Sequence, residues 1–234
     1  MALALLALET TWEQASLCLL RGDRMLAASR PSRHTLARDL LPWISSLLAA
    51  ADLTPAQLTA VAASIGPGSF TGTRIGVTTA KTLALVLGVP LLGIPTLDVV
   101  AHAAATAAGR YASLLALLPA HRQDYFVGQY QRTRLGPAVT ASYQVLAAGE
   151  VVELASRLPP PVLLGGAADR IEAFAEAGAP GWRVVPWPHS APRATSVALL
   201  ANRRHFREQW DDPLTLAPLY LRAAPADLKQ EAPP

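Results

Sequence analysis

Ser64-Ile65-Gly66-Pro67-Gly68-Ser69-Phe70-Thr71-Gly72-Thr73-Arg74-Ile75-Gly76-Val77 is the stretch on which the fold turns. The small apolar residues at 61–63 lead into it as a strand. That strand must stop at Gly66-Pro67-Gly68, because a proline between two glycines demands a turn with backbone angles that glycine visits easily. Ser69 or Thr71 can then cap a helix that runs through Leu87 and ends at Gly88, with Pro90 beyond it as a stop signal. Strand, glycine turn and helix form one unit.

On this helix Arg74, Thr78 and Lys81 share a narrow arc, while Gly72, Gly76, Ala80 and Ala84 form an i,i+4 ridge on the opposite side. A ridge of glycine and alanine lets another backbone come close, and a helix apolar around most of its circumference needs more than one neighbour. Either the chain covers the ridge or a partner does.

Upstream, residues 1–8, 15–20 and 24–29 are short apolar runs separated by a polar turn and by Arg21-Gly22-Asp23, and they read as an antiparallel start to a sheet. Glu9-Thr10-Thr11-Trp12-Glu13 interrupts the opening run too early, and no basic leader precedes it, so it is expected to be a strand rather than a signal peptide. Residues 34–51 follow as a helix with a tight stripe of Leu36, Leu40, Trp43 and Leu47, widened by Ala37, Leu41, Ile44 and Leu48 and expected to bend at Pro42. A stripe this broad again asks for a second neighbour.

Downstream, residues 91–94 are a brief strand and Thr96 opens a helix through Ala108. Strands are expected at 113–118, 125–131 and 139–146, and helices at 150–158, 167–177 and 195–210. The two halves repeat one plan, which gives an N-terminal lobe over 1–108 and a C-terminal lobe over 109–234. The last helix and tail are expected to pack back on the first lobe.

The 234 residues are 51% hydrophobic and 16% charged, ample for a large core. A net charge of +3, with no run of five basic residues, argues for an ordinary solvated surface rather than charge-driven nucleic-acid binding. The single Cys18 sits in an apolar run and has no internal partner, which suits a reduced cytoplasm. No apolar run reaches the length of a membrane span.

A search for chemistry finds no complete set. A glycine turn opening a helix can cradle an anion, but five residues rather than four separate Gly66 from Gly72, and Thr73-Arg74 replaces the Lys-Ser/Thr pair of a P-loop. Ser69 lacks the flanking glycines of a nucleophile elbow. His34, His102, His121, His189 and His205 occur singly, and nothing in the sequence brings Glu9 to Asp98. Asp98 reads as a first-turn dipole partner, and Gly165-Gly166 as a strand-to-helix turn that could also approach a nucleotide base.

Taken together, Gly66 to Gly76 of the opening stretch, Arg33-His34-Thr35 before the Leu/Trp helix, Gly93-Ile94-Pro95-Thr96-Leu97-Asp98 and the tail Pro218-Leu219-Tyr220-Leu221-Arg222 resemble the bacterial TsaB family, also called YeaZ. The resemblance implies an α/β, two-lobed, actin-like and sugar-kinase-like ATPase (ASKHA) fold with mixed sheets flanked by helices. It further implies a cytoplasmic, non-catalytic scaffold for N6-threonylcarbamoyladenosine formation at position 37 of tRNAs reading A-starting codons. The partners it implies are TsaD, which carries the chemistry, and the ATPase TsaE, with a homodimer when the chain is alone, tRNA met only through the complex, and no membrane.

By the same resemblance the first two helices form the contact, with His34, Leu36, Trp43, Gly72, Arg74, Gly76, Ala80 and Lys81 as its residues. Replacing Gly76 by Trp is then expected to abolish partner binding while the chain stays folded. No metal or tightly held cofactor is expected, and the partner interface is where any ATP or ADP would be expected. Two departures, Glu9-Thr10-Thr11 in place of Asp-Thr and Pro119 in place of an aspartate, weaken any nucleotide role at those turns. The competing expectation is an enzyme in its own right, an ATP-dependent phosphotransferase or a glycopeptidase.

Overall fold

The structure is a computed structural model that describes residues 3–22, 24–30, 35–121, 123–175 and 181–221. Its first sheet has the order β3-β2-β1-β4-β5, built from β1 (Ala4–Glu9), β2 (Ala15–Arg21), β3 (Arg24–Arg30), β4 (Ala60–Ser64) and β5 (Leu91–Ile94). β1, β2 and β3 form an antiparallel meander, and β4 and β5 continue the sheet in parallel with β1. The helices of this half are α1 (Leu36–Ala49), α2 (Phe70–Leu87) and α3 (Thr96–Ala108).

The second sheet runs β11-β10-β6-β7-β8, from β6 (Ser113–Pro119), β7 (Asp124–Thr133), β8 (Gly136–Val139), β10 (Val162–Gly166) and β11 (Trp182–Val184), with β9 (Gln144–Ala147) paired to β7. The remaining helices are α4 (Ala148–Arg157), α5 (Glu172–Ala175), α6 (Trp187–Ser190) and α7 (Ala194–His205).

Period-two alternation sorts the strand residues into two cores on either side of the first sheet. Leu6, Leu8, Leu17, Leu19, Val61 and Ala63 meet α1 and α2 on one face. Leu5, Ala7, Cys18, Ala60, Ala62 and Leu92 meet the Ala194/Val197/Ala198/Ala201 stripe of α7 on the other. Both faces are therefore apolar, which is why these strands read as unbroken hydrophobic runs. In the second sheet Leu114, Ala116 and Leu118 pack on α3, while Leu115, Leu117 and Leu164 pack on α4 and Ile171. Helices α3 and α7 thus lie between the sheets, with α1/α2 and α4 as outer layers.

Three elements differ from their sequence-based expectation. The run at 139–146 is two strands, because β8 pairs the far half of β7 and β9 pairs its near half. The helix expected over 167–177 is a 3-10 turn (Ala167–Arg170) followed by the single turn of α5, since Asp169 turns aside to accept the Trp187 N–H while Ile171 and Phe174 enter the core. Helix α7 ends at His205 rather than near 210, and the chain then doubles back through Glu208, a non-glycine residue at φ 55°.

After that reversal the tail runs along the first sheet. Asp211 bridges to Leu91, accepts the Gly93 N–H at 2.7 Å and pairs with Arg204 at 3.1 Å. Lys81 Nζ donates to the Leu216 carbonyl at 2.7 Å, and the Leu219 N–H donates to the Ile65 carbonyl at 2.7 Å. The tail therefore closes the edge of β5 and the glycine turn. Replacing Asp211 by Ala is expected to cost about 1–3 kcal/mol by leaving the Gly93 N–H and Arg204 Nη2 without their acceptor, and to speed proteolysis after residue 210. Unchanged melting and cleavage would show that the tail is not held there.

Candidate functional site

The glycine turn and the N-terminus of α2 are assembled from the inside out. At the end of β1, Glu9 is fully buried, and its carboxylate accepts from Ser64 Oγ, from the Thr11 N–H at 2.7 Å and from Thr11 Oγ1 at 2.5 Å. Burial pushes the Glu9 carboxyl above its ordinary 4.5, and the three donors only partly oppose it. Thr96 Oγ1 donates to Thr11 Oγ1 at 3.1 Å, which ties the turn to the start of α3.

Above this network sits α2. Ser69 caps it by accepting the Gly72 N–H at 3.3 Å, and Gly88 ends it at φ 65°. Thr10 Oγ1 donates to the Gly72 carbonyl at 2.8 Å, and the Ser69 N–H donates to the Thr11 carbonyl at 2.7 Å. A Cβ at Gly72 would overlap the Thr10 carbonyl oxygen, and one at Gly76 would overlap Thr10 Oγ1. The glycines exist to seat the β1–β2 turn.

This corrects the expected contact set. Gly72, Gly76 and Ala80 are buried against the chain's own β1–β2 turn and first-sheet core, so the small-residue ridge is not a docking surface. Leu36 and Trp43 are likewise inside, 5% and 4% exposed, because the broad stripe of α1 faces β2 together with Leu53 and Leu58. Gly76→Trp would report unfolding rather than a failure to dock. Lys81 is half-buried and engaged with the tail, and Arg74 is exposed. His34 lies outside the described residues.

What α2 turns outward is different: Phe70, Thr71, Arg74, Thr78, Thr82, Leu85 and Val86. Val86 is 77% exposed and Leu85 50%, and Leu41 of α1 is 57% exposed in the same outer layer. At the N-terminal end Tyr220 of the tail stacks on Phe70 with centroids 5.3 Å apart, and the Arg74 guanidinium lies 4.6 Å from the Phe70 ring centre. Sequence reading missed this ladder because Tyr220 is remote in the chain.

At the turn the Ser69 N–H is committed to the Thr11 carbonyl, the Gly72 N–H to Ser69 Oγ and the Thr73 N–H to the Ser69 carbonyl, which leaves fewer donors for an anion than an open helix N-terminus offers. Gly165 and Gly166 are filled from within, by Ala104 and the Leu117 carbonyl. Asp98 does more than face a helix dipole: its Oδ1 accepts from Tyr130 at 2.7 Å and Tyr143 at 2.6 Å, and burial raises its carboxyl. Glu9 and Asp98 therefore belong to separate networks. No group of three metal-ligating side chains occurs among the described residues, and none of their helices is long and apolar enough to cross a membrane.

Two mixed sheets, each flanked by helices and joined through α3 and α7, define a two-lobed α/β protein of the actin-like ASKHA type. A family model described as TsaD, tRNA N6-adenosine threonylcarbamoyltransferase, matches residues 30–186. The tRNA threonylcarbamoyladenosine biosynthesis protein TsaB of Bacillus subtilis (strain 168) is 30% identical over 235 residues, covering 97% of this chain and 97% of that one. Solved YeaZ from Pseudomonas aeruginosa superposes with a TM-score of 0.77 at 25% identity, over 94% of this chain and 100% of that chain. A second solved structure, described as similar to peptidase YeaZ from the same organism, gives 0.78 at 25% identity over the same shares. The chain belongs to the TsaB (YeaZ) family.

Two outcomes test this site. Gly76→Ala gains up to about 1 kcal/mol of helix propensity but forces overpacking that costs about 1–3 kcal/mol or more, so urea melts should show net destabilisation. A stabilised variant would mean the β1–β2 turn does not rest on the helix. For Glu9 the folded carboxyl is raised, so its contribution is complete below its unfolded value near 4.5 and is lost as pH rises through the folded value. Glu9→Gln should therefore gain stability relative to the parent chain as pH rises from about 4.5 toward neutrality, measured as the difference in melting temperature; a constant difference would refute the shift.

Proposed function

We propose that this chain is the TsaB-type scaffold subunit of the bacterial machinery that forms threonylcarbamoyladenosine in tRNA. In this reading it docks a TsaD-type subunit through the outer face of α1 and α2 and supports transfer of threonylcarbamoyl to N6 of adenosine 37 in tRNAs reading A-starting codons. The observation that carries it is the end-to-end similarity to a protein named for tRNA threonylcarbamoyladenosine biosynthesis. The exposed Leu85, Val86 and Leu41, with the Tyr220/Phe70/Arg74 ladder, supply an apolar and aromatic face of the kind that anchors protein interfaces.

The same face would pair two copies when the partner is absent, with TsaE joining the assembled subunits. Any ATP or ADP would lie at the subunit boundary, since the glycine turn is occupied by the chain itself. A non-catalytic role fits the engaged state of the obvious groups: Ser64 donates to Glu9, Ser69 caps α2, and Asp98 holds two tyrosines.

The double substitution Leu85→Asp/Val86→Asp changes two exposed side chains and should alter folding by less than about 0.5 kcal/mol each. It should weaken binding to the TsaD of the same cell by about 2 kcal/mol or more, roughly thirtyfold, and lower threonylcarbamoyladenosine in bulk tRNA measured by nucleoside mass spectrometry. A folded variant that captures TsaD as well as the parent chain would remove this face from the interface.

A further inference from the structure

On the far side of the first sheet from α1 and α2, a cavity of about 210 Å³ lies where α3 ends, the β7–β8 hairpin turns and α7 passes. Its lining includes Arg132, Arg134 and Arg203 and no aspartate or glutamate. All three arginines are exposed, and none forms an ion pair with a carboxylate among the described residues. Arg204, one residue on, is by contrast matched by Asp211.

The site is built rather than accidental. Arg203 Nη1 donates to the Leu135 carbonyl at 2.5 Å, fastening α7 to the hairpin tip. That tip is itself closed by Thr133 Oγ1, which donates to the Gly136 carbonyl at 2.7 Å and accepts the Leu135 N–H at 3.2 Å. Arg132 sits 5.9 Å from the Tyr111 ring centre, another lining residue. His102 is buried with Nδ1 3.2 Å from Ser196 Oγ, and burial together with the Arg203 charge holds its imidazole down at about 4. The cavity's charge at neutral pH therefore comes from guanidinium groups alone, which stay protonated.

A volume of about 210 Å³ is below the range that encloses a drug-sized ligand, so the cavity suits one compact ionic group rather than a whole nucleotide. Guanidinium forks match phosphate and carboxylate oxygens alike, and three of them around one concavity suit an anion flanked by further negative charge, as a phosphate is along a nucleic-acid backbone. We propose that this cleft holds a backbone phosphate of the RNA on which the machinery acts, so that the scaffold contributes its own contact to tRNA. The tRNA half of this statement rests on the function proposed above. Because the first sheet stands between the cleft and the α1/α2 layer, a partner docked on those helices leaves the cleft open to RNA.

The test measures binding of an unmodified tRNA transcript to the full chain without partner, across a salt series. Arg132→Gln/Arg134→Gln should weaken binding about tenfold and reduce the slope of log K against log salt by roughly 0.7–0.9 for each phosphate that is no longer neutralised. The charge-matched control Arg38→Gln/Arg157→Gln, on α1 and α4, should stay within about twofold of the parent chain. An unchanged pocket variant, or a control that weakens as much, overturns the proposal. So does tripolyphosphate or polyglutamate that binds the cleft while tRNA does not compete. TsaD capture by the pocket variant should equal that of the parent chain, so a failed docking face and a failed RNA cleft give separate results.

Discussion

The contact between Thr10 and the glycines of α2 organises the molecule. Thr10 and Thr11 bring the β1–β2 turn up against the first turns of the helix, and only positions without a Cβ leave room for it. With that contact made, β1 and α2 are held together, and β4, which lies between them in sequence and pairs with β1, is held with them. The buried Glu9 then finds its donors on both sides, Thr11 in the turn and Ser64 at the end of β4. The tail adds a second layer, since Leu219 and Leu216 secure the glycine turn and Lys81 from outside.

Much of this was legible in the chain. The strand, glycine turn and helix of 61–88 follow from local chemistry: proline between glycines, a serine cap, a glycine in the left-handed region at the end. So did the antiparallel start and the apolar faces of α1. What could not be read was which neighbour each apolar face would take. An i,i+4 ridge of glycine and alanine predicts close approach, not the identity of what approaches. Here the occupant is Thr10, sixty-two residues from Gly72, and nothing in the local pattern of either segment names the other.

The same limit explains the elements that moved. Residues 139–146 alternate well enough for one strand, yet β7 is long enough to pair two short partners end to end, a tertiary choice invisible in a period of two. Asp98 reads correctly as a first-turn acid, but the two tyrosine hydroxyls that select its position come from 32 and 45 residues downstream. Long-range polar partners leave almost no trace in a single sequence, because any tyrosine can serve.

On the proposed docking role, the composition of the outer α2 face bears on how such a surface avoids self-association. Leu85 and Val86 are placed at the C-terminal end and Phe70 at the N-terminal end, with Thr71, Arg74, Thr78 and Thr82 between them. A continuous leucine face would bury more area but would also aggregate the free chain. Threonines at helical spacing keep the middle of the face wet and leave the apolar anchors at its ends, and Arg74 stacked on Phe70 shields one anchor until something displaces it. In the proposed interface such a face would favour partners that match both ends at once, so specificity would come from the spacing of the anchors along α2 rather than from total apolar area.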